Sequence, residues 1–335
     1  MMLTRAEMRR LLVARGTEQE ELFAASRTAR DAHWGRKVVT RGVIELTNVC
    51  RVNCDYCPMR RDNVRENDTY FLTGDQIVDI AELIRDSGID VILLQGGETP
   101  SVVPALEDAI PRIRQLFGGH VEILLNLGNL KRAQYARLRE LGATSYILKH
   151  ETSDPELHFS IRHESLETRL RCMNDLLELG FKVGTGLISS LPGQSLDSVI
   201  DDIQLAGELG VSMCSVSPFI PAPNTPMSLS PIGDNELALN VIACLRVSYP
   251  HLLIPSVSAL ERAGDGGQSR GLEAGANVMT VNFSRAVDQK RYLIYGKDRF
   301  VVTLDHVRGI AGKSGLELRG SVFLEENVTT GGHVR

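Results

Sequence analysis

Residues 43–57, VIELTNVCRVNCDYC, decide how this chain is read. A short, largely apolar run at 43–46 is followed almost at once by three cysteines spaced C-x3-C-x2-C. Outward from this stretch the chain keeps one rhythm, in which short apolar runs alternate with amphipathic stretches of ten or more residues. The runs at 43–46, 91–94, 121–125, 146–148, 183–188, 213–216, 252–257 and 278–281 read as strands. Thr73-Gly-Asp-Gln76 reads as a capping box ahead of Ile77, Ile80, Ala81 and Ile84, which share one helix face that Gly88 ends. Stretches 130–141, 166–179 and 196–209 run into Gly142, Gly180 and Gly210, the helix–Gly–strand joint of αβ loops. Eight such units predict an α/β chain folded as a parallel (β/α)8 TIM-type barrel, with its site at the C-terminal ends of the strands. A doubly wound open sheet is the alternative that the same pattern allows.

The barrel is expected over 37–290. Ahead of it, a helical extension over 1–36 reads as two short helices broken around Gly16-Thr17. After it, 291–335 reads as a strand or turn, one more helix and a frayed polar tail over 325–335. At 335 residues, 43% hydrophobic and 24% charged, the chain is globular with material for a large core. A formal charge of 37 − 42 = −5 argues against a nucleic-acid binder that relies on a basic face. No apolar stretch is long enough to span a bilayer, so no membrane partner is expected. The N-terminal stretch mixes Arg with Glu and lacks the apolar core of a signal peptide. Six cysteines without a secretory signal fit a reducing cytoplasm better than a disulfide framework. Cys172, Cys214 and Cys244 are scattered and read as buried structural thiols.

The other three sit at the expected barrel mouth. A zinc site wants a fourth N or S ligand nearby, and an electron-transfer [4Fe–4S] centre wants four cysteines. No Cys or His follows closely, and His33 lies well before the motif. Three protein ligands leave one iron open to a small-molecule chelate. The octet CRVNCDYC, Cys50 to Cys57, resembles the signature of the radical S-adenosylmethionine (SAM) superfamily. The resemblance implies a [4Fe–4S] cluster on Cys50, Cys54 and Cys57 whose unique iron chelates SAM. It also implies reductive cleavage of SAM to a 5′-deoxyadenosyl radical.

Further roles follow from the same resemblance. Tyr56 would lie beside the adenine. Gly96-Gly97-Glu98, after the second strand, resembles the family's GGE motif; its glycines permit close approach and Glu98 would take the methionine ammonium. Glu151, at the end of strand four, would suit the ribose, with Lys149 on its face and His150 pointing away. Arg169 would fork onto the SAM carboxylate. The stretch 184–194, Leu191 included, resembles the apolar adenine-flanking segment, and Pro218-Phe-Ile-Pro221 would complete that wall. Ser256 and Ser258 share a face of strand seven and would meet substrate.

The resemblance covers about residues 5–315 and points to the biotin-synthase-like branch. Segments 39–63, 94–100, 148–155, 191–194, 218–226 and 275–277 resemble the [FeFe]-hydrogenase maturase HydE, while 254–266 resembles methylornithine synthase, a radical mutase, as much. Where biotin synthase draws on strand cysteines for its sulfur-donating cluster, this chain has Gln95, Asn126 and Thr185, which disfavours biotin-type sulfur insertion. A lipoyl-type insertion would need Cys172, Cys214 and Cys244 to converge. No Cys follows Cys244, so the maturase's C-terminal cysteine cluster is missing. The expectation is a one-cluster enzyme acting on a small, amino-acid-derived substrate and fed by an external reductant such as flavodoxin or ferredoxin. Lyase, mutase and transferase chemistry stay open, and the non-enzyme alternative is an iron–sulfur scaffold or electron carrier. Two lures fail. The stretch 309–314, GIAGKS, resembles a P-loop but has Val307 where the pattern needs Gly, and 264–267 is a turn without Rossmann spacing.

Overall fold

The predicted alternation folds into a ring of parallel strands. The computed structural model describes residues 2–64, 68–264 and 266–324. The strands are β1 (Lys37–Glu45), β2 (Val91–Gln95), β3 (Glu122–Asn126), β4 (Ser145–Ile147), β5 (Lys182–Ser189), β6 (Met213–Pro218) and β7 (Val278–Asn282), ordered β6-β5-β4-β3-β2-β1-β7. Every pairing along this path is parallel. A short β8 (Glu317–Arg319) pairs with the start of β1. The chain is therefore the expected α/β barrel of TIM type, and its strands, covered on both faces, read as apolar runs for that reason.

One expected strand is corrected. Residues 252–257 make no ladder; they join β6 to β7 through single bridges, Met213↔Leu253 and Pro255↔Val278. Pro255 has no N–H to give, and the Ile254 carbonyl accepts from both Asn277 and Val278. Buried Arg246 holds this segment in place, donating to the carbonyls of Gly275 (3.0 Å), Pro250 and Leu252 (2.7 Å each) and to Asn277 Oδ1 (2.8 Å).

The helices are α1 (Arg5–Leu12), α2 (Thr17–Trp34), α3 (Gly74–Asp86), α4 (Val103–Leu116), α5 (Arg132–Leu141), α6 (Pro155–Arg162), α7 (Leu166–Glu178), α8 (Leu196–Glu208), α9 (Asn235–Ser248), α10 (Ala259–Ala263), α11 (Gly267–Glu273), α12 (Ala286–Arg291) and α13 (Leu304–Lys313). The Thr73–Gln76 capping box forms as its spacing demands. Of the two N-terminal helices only α1 is short; α2 runs for 18 residues and packs on α9. The P-loop-like stretch lies in α13 and builds no phosphate loop. The predicted frayed tail, 325–335, lies outside the described residues. Inside the ring, Val39, Val43, Val91, Leu93, Leu124, Ile147, Met213, Leu253 and Val278 pack with Val322 as an apolar floor. The site must then lie at the opposite end. Among the described residues no helix is long and apolar enough to cross a membrane.

Candidate active site

At the C-terminal end of β1 the chain turns into the cysteine loop. Thr47 fixes the turn, donating to the Tyr70 carbonyl (2.6 Å) and accepting from the Val49 N–H (3.1 Å). Backbone bonds then tie the loop to its neighbours: Arg51 N donates to the Glu98 carbonyl and Asp55 N to the Ile161 carbonyl, each at 2.8 Å. Gly97 is required where the loops cross, since a Cβ there would lie 2.2 Å from the Val49 oxygen. Cys50, Cys54, Tyr56 and Cys57 line a cavity of about 170 Å³ together with Gly96–Glu98, Gly128, Lys149, Glu151, Arg162, Arg169 and Ile188. Pro218, Phe219 and Ile220 complete its apolar wall, as the sequence suggested.

The charged groups interlock. Buried Glu98 pairs through Oε1 with Arg51, while its Oε2 lies 3.3 Å from Arg169 Nη2 and 3.4 Å from Arg162 Nη2. Gly128, at φ +72°, leaves room for that carboxylate: a Cβ there would sit 2.0 Å from Oε2. Glu151 Oε2 lies 3.0 Å from Lys149 Nζ, and Oε1 lies 3.9 Å from Arg162 Nη1. Burial alone would raise the Glu151 carboxyl, but Lys149 and Arg162 outweigh it and hold the group below its usual range. Burial likewise opposes the Lys149 charge, and Glu151 reverses the balance upward. Glu151 sits at φ +65°, pinned by its N–H to Gly186 O and by Ile188 N–H to its own carbonyl, 2.9 Å each.

The three thiols line one cavity. Burial first, then the neighbouring Cys54, pushes Cys50 up to about 11. Burial and the other thiols raise Cys57, and burial raises Cys54. Metal binding relieves such crowding by taking up the thiolate charge. Among the described residues no three His, Cys, Asp or Glu side chains are placed to hold a single metal ion. A [4Fe–4S] cube instead takes each thiolate on a separate iron, which suits three thiols facing one cavity. Arg162 Nε and Arg169 Nε are buried without a hydrogen-bond partner, polar edges that a bound zwitterion could satisfy.

Some expectations need adjusting. Leu191 does not line the cavity; it packs behind Tyr56 and Ile188 in a small apolar cluster with Ile161 and Phe219. Thr185 faces away from the barrel interior, 2.8 Å from His150 Nδ1, whereas Gln95 and Asn126 face inward. His150 is fully buried behind Glu151, driven down to about 3 by burial and so neutral. Its Nε2 lies 3.8 Å from Asp202 Oδ1, and Asp202 accepts from Ser153 N and from Gln194 Nε2 (3.1 Å). Cys172, Cys214 and Cys244 are free, buried and absent from both cavities of the barrel interior. Arg162 and Gly128 were not singled out from the sequence. The signal for Gly128 lay in the strand-end stretch Asn126-Leu-Gly128, which parallels Gln95-Gly-Gly97.

Below the mouth lies a second chamber of about 160 Å³, lined by Arg41, Glu45, Ser256, Ser258, Thr280 and Asn282 among others. The segment after α12 crosses above it and is anchored by Arg299, whose fork meets both Glu45 carboxylate oxygens at 2.6 and 2.7 Å. Ile294 and Tyr295 of that segment line both spaces.

The chain belongs to the radical SAM superfamily, whose family description matches residues 44–206. It is a radical SAM enzyme, with a [4Fe–4S] cluster and SAM as its cofactors. Within the superfamily it falls in the biotin-synthase-like branch. It is 37% identical over 278 residues to the [FeFe] hydrogenase maturase subunit HydE of Thermotoga maritima, covering 82% of this chain and 79% of that one. It is 26% identical over 279 residues to 3-methylornithine synthase of Methanosarcina acetivorans, covering 82% and 78%. The crystal structure of methylornithine synthase (PylB) superposes with a TM-score of 0.83 over 95% of both chains at 23% identity, a likeness of fold.

Proposed function

We propose that this enzyme binds SAM across the barrel mouth and acts on a small, amino-acid-derived substrate in the chamber beneath, in a hydrogenase-maturase-like reaction. The contiguity of the two spaces carries this reading: Gln95, Asn126, Lys149, Ser217, Ile294 and Tyr295 line both. Cys50, Cys54 and Cys57 would hold the cluster. Gly96, Gly97 and Glu98 would receive the methionine ammonium, Arg169 its carboxylate, Glu151 the ribose, and Tyr56 with Ile188 and Phe219 the adenine. When bound and reduced, the cluster and SAM supply a 5′-deoxyadenosyl radical. The chain's own part is orientation and the exclusion of water. Apolar side chains pack the end of the ring opposite the mouth, and the Arg299–Glu45 pair anchors the segment that lies over the chamber. Neither space is lined by a cysteine beyond the three, which supports chemistry other than sulfur insertion. An external one-electron donor of flavodoxin or ferredoxin type, in a reducing cytoplasm, completes the reading.

The test is anaerobic. The protein is reconstituted with iron and sulfide, given SAM and dithionite, and assayed for 5′-deoxyadenosine beside C54A. Formation by wild type alone is expected. Wild type that takes up iron and reduces, yet gives no SAM-dependent spectral change, would favour the scaffold reading.

A further inference from the structure

α6 ends at Arg162, and both residues that flank it are fastened to the cysteine loop. The Ile161 carbonyl accepts from the Asp55 N–H at 2.8 Å, and His163 Nε2 lies 2.9 Å from Asp55 Oδ1. Arg162 itself is 6% exposed and lines the cavity. Its Nη1 lies 3.4 Å from the Tyr56 hydroxyl and 3.9 Å from Glu151 Oε1, and its Nη2 lies 3.4 Å from Glu98 Oε2. One guanidinium therefore touches the GGE carboxylate, the strand-four carboxylate and the aromatic residue between Cys54 and Cys57. Arg169 meets Glu98 from α7, and Arg51 is 43% exposed in its side chain, where solvent screens its charge.

We propose that Arg162 is a positioning residue that holds Glu98 and Glu151 in orientation within the SAM pocket, and that its charge biases the neighbouring cluster toward the reduced state. The proposal rests on the SAM-site reading above. Two carboxylates facing one buried pocket repel, and a planar fork can serve both where an ammonium serves one. A cluster gains one negative charge when it accepts an electron, here from dithionite. A buried cation beside the cysteine loop stabilises that charge through a poorly screening interior.

The test uses the full chain, reconstituted anaerobically and titrated by EPR without SAM. R162M removes the charge at similar length; R162K keeps the charge and loses the fork. In R162M the ratio of reduced to oxidised cluster at a fixed potential should fall about tenfold, a midpoint about 59 mV lower. R162K should keep the wild-type midpoint while SAM binding, measured by calorimetry, weakens about tenfold. An R162M protein with full iron content and the wild-type midpoint overturns the proposal. So does an R162K protein whose midpoint moves as far as that of R162M, the mark of a merely structural role. If R162M takes up no iron, R162K decides alone, and wild-type SAM affinity there is the refuting result. The midpoint is read without SAM, so it is separate from the wild-type 5′-deoxyadenosine assay on which the SAM-site reading depends.

Discussion

Replacing Gly128 with alanine probes the site at a residue that carries no side chain. Gly128 sits at φ +72°, and a Cβ there would come within 2.0 Å of Oε2, 2.2 Å of Cγ and 2.3 Å of Cδ of Glu98. The loop cannot retreat freely, because the hydroxyls of Tyr146 and Tyr135 donate to the Gly128 carbonyl at 2.8 and 3.2 Å. Two effects should therefore separate. The left-handed backbone costs a non-glycine residue about 1–2 kcal/mol of stability, a fall of about 1–1.5 °C in melting temperature for each kcal/mol in a chain of 335 residues. Glu98 must also swing away from Arg162 and Arg169 and, on the proposed reading, from the ammonium it would receive. A charge-assisted bond of that kind contributes about 1.5–3 kcal/mol, which is about 10–100-fold in SAM affinity. The assay is the KM for SAM in 5′-deoxyadenosine formation, beside a thermal melt. E98Q should raise the KM comparably, and G128A/E98Q should be no worse than the worse single variant, because both act on one contact. A G128A enzyme that melts early but keeps the wild-type KM would refute the reasoning, as would losses that add in full.

Other outcomes follow from the buried charges. Burial pushes Asp202 up to about 7, while the unfolded carboxyl ionises near 4. Between these values the unfolded chain binds fewer protons, so stability is full below about pH 4 and falls by about 1.4 kcal/mol per pH unit toward 7; D202N should flatten that slope in melts from pH 4 to 8. R246M removes four hydrogen bonds, among them the guanidinium bonds to the Gly275 and Leu252 carbonyls, and should lose about 3–5 kcal/mol by urea denaturation. R299M leaves Glu45, 1% exposed, without its fork and should lose about 3–5 kcal/mol; adding E45Q should restore more than half, and no recovery would mean that the pair is not the anchor.

What the sequence revealed was local. The cysteine triad, GGE and Glu151 stand at strand ends, where spacing and the strand pattern converge within a few residues. Arg162 escaped because an arginine in the last turn of a short helix ordinarily faces solvent and complements the helix dipole. Here the helix end is instead fastened to the cysteine loop on both sides of Arg162, through Ile161 and His163 to Asp55. Leu191 is expected at the adenine because 184–194 resembles the family's apolar adenine-flanking segment, yet the turn after β5 packs it against Tyr56 and Ile188 and not on the cavity. The seventh strand was misjudged for a similar reason: 252–257 is apolar enough for a strand, but Pro255 and the doubly used Ile254 carbonyl leave it too few bonds for a ladder.

That weak stave has a mechanical consequence. Six seams of the ring are laced by continuous ladders, and the remaining two, on either side of Leu253 and Pro255, are buttoned by one bridge each. Any widening of the ring will concentrate there, as a hoop parts at its clasp. Amide protons of Leu253 and Cys214 should exchange with solvent sooner than those of Val43 or Leu93, which lie in the laced arc. The clasp lies only two staves from β1, separated from it by β7 alone, so the laced β1–β7 seam is what stands between breathing of the ring and the cysteine loop.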